Sequence, residues 1–288
     1  MNELPMHIQR AAARYQNIEA DGLKLYPVLV CDYTDFLMAR PALEVMHQSL
    51  PVALMRVPLL SALYQMDYEA ALSGQPTTGL FSRALLAMAL SLRLGEGLET
   101  EKRLEQFDVI VARENPAKLQ RLRFADADGA EHSIEPAQYA KLRQIIAAQN
   151  GVKLESDKAN PDIVKAQNDK SSAFAAQLDM NIDDWISAVA VLTGTDETEI
   201  DAWPILKFHR RSDSLRRVLD YIVCGIGEMS GTTWKGGNPT PHPFFARAID
   251  GNGILTEMGG RADGTEATPP TAATAIRDFT QTILNQKE

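Results

Sequence analysis

The hydrophobic period of the chain drops from helical to two and then returns, and that pattern limits the folds open to it. Up to about Glu105 the apolar residues recur at helical spacing. "PLLSALYQMDYEAAL" places Leu59, Leu63, Met66 and Ala70 on one face, and "LFSRALLAMALSLRLG" is the most apolar helical segment of the chain. Between Gln106 and Ile134 the period drops to two. Leu119, Arg121 and Arg123 alternate with Gln120, Leu122 and Phe124. The segments "QFDVIVA", "KLQRLRFAD" and "AEHSI" are separated by "RENPA" and "DADGA", which carry turn-forming residues. From "SIEPAQYAKLRQIIAAQNG" onward the spacing is helical again. The expectation is a mainly α fold with a small antiparallel β-meander (α+β) and a bundle-like helical core. Four regions follow: an N-terminal helical region 1–105, the meander 106–134, a C-terminal helical region 135–246 ending in an extended arm, and a flexible tail 247–288 with a short terminal helix.

Local signals place the boundaries. Pro27 makes Leu23 to Cys31 a short strand or extended piece, because proline disfavours a helix interior. Asp32 is a candidate cap for a helix to about Arg40, with a further helix from Ala42 to Ser49 before Pro51. Pro58 and Pro136 suit first helical turns. Tyr139, Leu142, Ile145 and Ile146 point inward from a helix that stops at Asn150-Gly151 in a left-handed cap. Pro161 opens an exposed helix. Asn181 caps the next one, Asp183 and Asp184 oppose its dipole, and Gly194 lies just past its end. "TDETEIDAW" is a short capped helix. From Pro204 a long helix aligns Phe208, Leu215, Leu219, Ile222, Ile226 and Met229 on one stripe, ending near Gly231. Trp185, on a face with Ile182, Val189 and Leu192, and Trp203, at the end of the short helix, are expected in the core.

Composition excludes several classes. The formal net charge is -9, from 29 basic and 38 acidic side chains, whereas a general nucleic-acid binder needs a cationic face. No apolar run reaches the roughly 18 residues of a membrane span, and "MNELPMHIQRAAARYQ" does not read as a signal peptide. Cys31 and Cys224 belong to no CxxC pair or Cys/His cluster, so both are expected as buried thiols in a reducing compartment.

The chemistry-bearing residues do not form a recognised constellation. "GTTWKGGNP" has its lysine in the wrong order for a phosphate loop, and "GIGEMSG" lies within or at the end of a helix, not between a strand and a helix. Neither HExxH nor GxSxG occurs. Asp183-Asp184 reads as dipole compensation, and His47, His132 and His242 as isolated structural residues. His209 adjoins "RRSDSLRR", whose arginines form a solvated face with Asp213 and Asp220 as partners; the alternative is an anion site. No catalytic, cofactor or metal residue is assigned. Thr232 to Phe245 reads as a structural arm: Gly236-Gly237 turn it, Pro239, Pro241 and Pro243 keep it extended, and Trp234, Phe244 and Phe245 anchor it. Phe244 or Phe245 is expected against the helix Asp183 to Thr193 or the one beginning at Pro204. Trp234, Phe244, Phe245, Arg210 and Arg211 are the candidate partner contacts.

The order of these motifs is similar to that in tail assembly chaperone-like proteins of tailed phages and prophages of Gram-positive bacteria. The matching residues are Gln149-Asn150-Gly151, Thr193-Gly194, Trp203, Glu228-Met229-Ser230-Gly231, Lys235-Gly236-Gly237-Asn238-Pro239 and the opening "YPVLVCDYTDFLMA". They cover about two thirds of the chain and are turn and packing motifs. Two features depart from the pattern: "HPFF" replaces the expected terminal aromatic, and a polar tail follows Phe245. The resemblance implies a non-enzymatic protein without cofactor, acting in the host bacterial cytoplasm. It would bind the tape measure protein and tail tube subunits during tail assembly. A structural component of the tail or baseplate, an enzyme of unrecognised type and a helical adaptor are the alternatives.

Overall fold

The computed structural model describes residues 4–126, 129–154 and 181–230. The chain divides into two compact units, Met1–His209 and Arg210–Glu288. The first is mainly helical with two small antiparallel sheets.

Helix α1 (Met6–Ala13) leads into a hairpin of β1 (Ile18–Ala20) and β2 (Leu23–Leu25). The turn is Asp21-Gly22, with φ of 53° and 77°. This is the two-residue Asp-Gly turn whose twist suits paired strands. After an extended stretch and a single tight turn at Val30–Asp32 comes α2 (Tyr33–Glu44). It runs straight through Pro41, so the two helices expected on either side of that residue are one. Proline removes one backbone donor there, and burial of Ala39, Ala42 and Leu43 on either side holds the helix against that loss. Two short tight turns, His47–Ser49 and Val52–Leu54, follow.

Helices α3 (Leu59–Leu72) and α4 (Leu80–Leu92) pack together, and every residue from Ala84 to Ser91 is buried. A helix apolar all round belongs in a core. Asp67 of α3 satisfies the start of α4: its carboxylate accepts from the Gly79 and Phe81 N–H groups at 3.1 and 2.9 Å and from the Thr78 hydroxyl at 2.7 Å. Helix α5 (Thr100–Leu104) then leads to the meander of β3 (Asp108–Ala112), β4 (Asn115–Ala125) and β5 (Glu131–Ile134), paired in that order. The three-stranded expectation holds, but β4 starts earlier than the alternation indicates. Asn115 pairs with Ala112, and Leu119 with Val111, so Pro116, Ala117 and Lys118 bulge out of the ladder. A bulge is where a strand accommodates proline.

Leu119, Leu122, Phe124 and Ile134 from the meander share one core with residues from α1 through α6 (Tyr139–Gln149). Sequence regions 1–105 and 106–134 thus meet the start of the next region in a common interior. Tyr139, Leu142, Ile145 and Ile146 are all buried, and Gly151 carries the left-handed φ of 73° that ends α6. Helix α7 (Ile182–Thr193) stops at Gly194 with φ of 65°. Asn181 holds its cap position without capping: its side-chain amide donates to Asp183 at 3.3 Å instead. Helix α8 (Glu197–Asp201) does have a side-chain cap, since Asp196 accepts from the Thr198 N–H and hydroxyl at 2.9 and 2.6 Å. Those two bonds hold the Asp196 carboxyl below its ordinary pKa. The long α9 (Ile205–Met229) comes last. The helix expected after Pro161 and the tail from 247 lie outside the described residues.

Candidate interaction site

The extended segment Tyr26–Val30 cannot satisfy its own backbone, and Pro27 has no donor to offer. Several of its groups are met from three places far away in the sequence. Tyr26 donates to the Ser91 carbonyl at 2.7 Å, at the end of α4. Val28 donates to Asn150 Oδ1 at 2.9 Å, and its carbonyl accepts from Ile205 at 2.9 Å. Val30 donates to the Trp203 carbonyl at 2.9 Å, and Leu29 bridges Pro204 in antiparallel fashion. Neighbouring amides complete the junction. Gln149 Nε2 donates to the Gln16 and Leu25 carbonyls at 3.0 and 3.2 Å, and Asn150 Nδ2 donates to Ile146 at 2.8 Å. Val28, Gln149 and Asn150 are all buried. Every partner is a neutral amide, so the junction recognises backbone and supplies no acid, base or nucleophile.

Beside it lies an aromatic cluster. The Trp185 ring packs 4.9 Å from Phe208, 5.3 Å from His209 and 6.2 Å from Tyr33. Trp203 is buried as expected, with the Lys207 ammonium 4.0 Å from its ring centre. Trp185 is only half-buried and Leu192 is exposed, so the face expected in the core is partly outside. The α7 face that does turn inward carries Ile186 and Val189. Asp32 spends its carboxylate on the buried Arg103 guanidinium at 2.6 Å, not on capping α2.

Neither cysteine is buried: Cys31 is exposed and Cys224 half-buried. Cys31 sits on the tight turn before α2, where only Val30 turns inward. The desolvation its sulfur does experience, followed by the nearby Asp32 and Asp201 carboxylates, raises its thiol pKa, which disfavours a reactive thiolate.

Other singled-out residues are scattered. His132 meets Asp126 at 2.8 Å and stacks on Phe124. His47 holds a buried Nε2 atom without a hydrogen-bond partner. Asp183 and Asp184 lie exposed in the first turn of α7. Arg210 and Arg211 are exposed on α9. The expected pairing of the arginines with Asp213 and Asp220 does not extend to Arg211, Arg216 and Arg217, which form no ion pair among the described residues. Long arginine side chains on one solvated helix gain little from such pairs. Trp234, Phe244, Phe245, His242 and the whole arm Thr232 to Phe245 lie outside the described residues.

A surface groove of about 500 Å³ runs between the start of α3, the bulged part of β4 and the Glu135-Pro136-Ala137 turn. Its polar lining includes Ser61, Gln65, Lys118 and Glu135, with no histidine or cysteine. A second hollow of about 280 Å³ shares Pro58, Pro136 and Ala137 with it and reaches His47 and Arg143. Arg143 is committed to the Leu43 and Val45 carbonyls at 2.6 and 2.7 Å. Among the described residues no group of three or more His, Cys, Asp or Glu side chains is placed to hold a metal ion. No described helix is long and apolar enough to cross a membrane.

Spacing alone does not reveal the junction, since its members lie far apart in the chain, Val28 and Asn150 by 122 residues. The one available signal is chemical: an Asn next to a helix-ending glycine, and an extended proline segment that needs backbone partners. Comparison with family models, with curated proteins and with solved structures finds no match to the chain.

Proposed function

We propose that the chain is a non-enzymatic tail assembly chaperone-like protein. It binds the tape measure protein, the tail tube protein or both during tail morphogenesis in the host bacterial cytoplasm. No cofactor, nucleic acid or membrane enters this reading. One observation supports it above the others. "YPV", "QNG" and Trp203, which carry the resemblance at three separate places, meet through the Val28–Val30 backbone. Motifs that meet in space behave as parts of one fold, as the resemblance requires. Their amide chemistry suits a scaffold that presents surfaces to other proteins.

The test is a comparison of assembling lysates with purified particles from the phage or prophage that encodes the chain. The expected result is co-purification with the tape measure or tail tube protein during assembly and absence from finished tails. Stoichiometric retention in finished particles would instead support a structural tail or baseplate component. Absence from both preparations would count against either role.

A further inference from the structure

The described part of the second unit is the stretch of α9 from Arg210 to Met229, followed by Ser230. Its apolar residues Leu215, Leu219, Ile222, Ile226 and Met229 follow one another at steps of four, three, four and three. That is the heptad spacing of a helix seam made to meet another helix. The seam is open: Leu219, Ile222 and Ile226 are 42%, 48% and 59% exposed, and Met229 is 91% exposed. Val218 and Val223 widen it toward the C-terminal end and are exposed as well. In this register Arg211 and Arg216 flank the seam at its N-terminal end, and both are exposed without an ion pair among the described residues.

Those flanking charges weigh against a parallel second copy and favour an acidic partner. In a parallel pair of identical helices, Arg211 of one copy would face Arg216 of the other. Like charges at flanking positions oppose such pairing. A helix with acidic residues at the same positions would turn that repulsion into attraction. We infer that the α9 seam is a docking surface for an amphipathic helix of another protein. The partner helix carries apolar residues at heptad spacing, flanked by Asp or Glu. This inference rests on α9 alone and does not need the tail-assembly reading.

The experiment uses the full chain and two fluorescein-labelled synthetic peptides of about four heptads. Both carry Leu and Ile along the seam; one has Glu and the other Lys at the flanking positions. Fluorescence anisotropy at low salt is expected to give the Glu peptide a Kd at least about tenfold below that of the Lys peptide, a gap that narrows near 1 M salt. An Ile222→Asp, Ile226→Asp double variant is expected to lose binding with an unchanged circular dichroism spectrum, because both positions are solvent-facing. An Arg211→Glu, Arg216→Glu variant is expected to prefer the Lys peptide. The proposal is overturned by a full chain that binds neither peptide, by equal binding of both, or by charge reversal that leaves the preference untouched. It is overturned too if ultracentrifugation shows a dimer that Ile222→Asp, Ile226→Asp converts to monomer, since the occupant is then a second copy.

Discussion

Asn150 Oδ1 accepts the backbone N–H of Val28 at 2.9 Å, joining residues 122 positions apart in a buried setting. A buried donor that loses its partner costs about 1–3 kcal/mol. Asn150→Ala leaves the Val28 N–H unpaired and also removes the bond to Ile146. The variant is expected to lose stability in that range by urea denaturation, with an unchanged m-value. A loss below about 0.5 kcal/mol would show that the bond is not formed in solution.

The Arg103–Asp32 pair gives a prediction of opposite character. Arg103 is buried and also donates to the Leu98 carbonyl at 3.0 Å. Asp32→Ala strands a buried guanidinium and is expected to cost about 3–5 kcal/mol. Adding Arg103→Met removes the stranded charge, so the double variant should recover much of that loss. A denaturation double-mutant cycle checks it, and additive losses would contradict the pairing.

Two helix-ending glycines separate backbone strain from crowding. Gly151 and Gly194 have φ of 73° and 65°, a region that disfavours residues with a Cβ. A Cβ at Gly194 meets nothing within 4 Å, whereas one at Gly151 would lie 2.8 Å from Leu206 Cδ1. Gly194→Ala should therefore show only the backbone term of about 1–2 kcal/mol. Gly151→Ala should lose more, because Leu206 must also move. Equal losses would place Leu206 elsewhere in solution.

Tyr139 is fully buried, its hydroxyl has no hydrogen-bond partner, and burial drives its phenol pKa far above the ordinary value. In the unfolded chain the same phenol ionises near about 10. Above that pH the unfolded state gives up a proton that the folded state keeps, so stability falls as pH rises. Tyr139→Phe is expected to flatten this alkaline decline. At neutral pH it should leave stability unchanged or raise it by about 1 kcal/mol, since no hydrogen bond is lost. Thermal melts from pH 7 to 11 check both parts, and a neutral-pH loss above about 1 kcal/mol would mean that the hydroxyl has a partner.

Much of the fold was legible because it rests on local rules. The change of period at Gln106 located the meander, and Gly151 and Gly194 ended their helices where the apolar pattern stopped. Pro41 misled because tertiary burial around Ala39, Ala42 and Leu43 outweighed a local breaker. The short strand read after Leu23 is present at Leu23–Leu25, whereas its partner Ile18–Ala20, signalled by the Asp21-Gly22 turn, was not read. Trp185 misled for a different reason: the 3.6-residue period fixes which residues share a face, but not which of two apolar faces turns inward. The junction at Val28 was legible only as a segment in need of backbone partners, because which partners meet it is set by chain topology. Of the residues expected at a partner surface, Arg211 stands exposed beside the open seam of α9, while Trp234, Phe244 and Phe245 lie outside the described residues.

The central claim is that "YPV", "QNG" and the Trp203-Pro204 turn form one cooperative backbone junction. Hydrogen exchange at the Val28, Val30 and Ile205 amides tests it most directly, since each donates to a different member of the junction. The three are predicted to be protected together in the native chain and to lose protection together in Asn150→Ala. Rapid exchange at Val28 in the native chain would contradict the claim, as would full protection of Val30 and Ile205 in the variant.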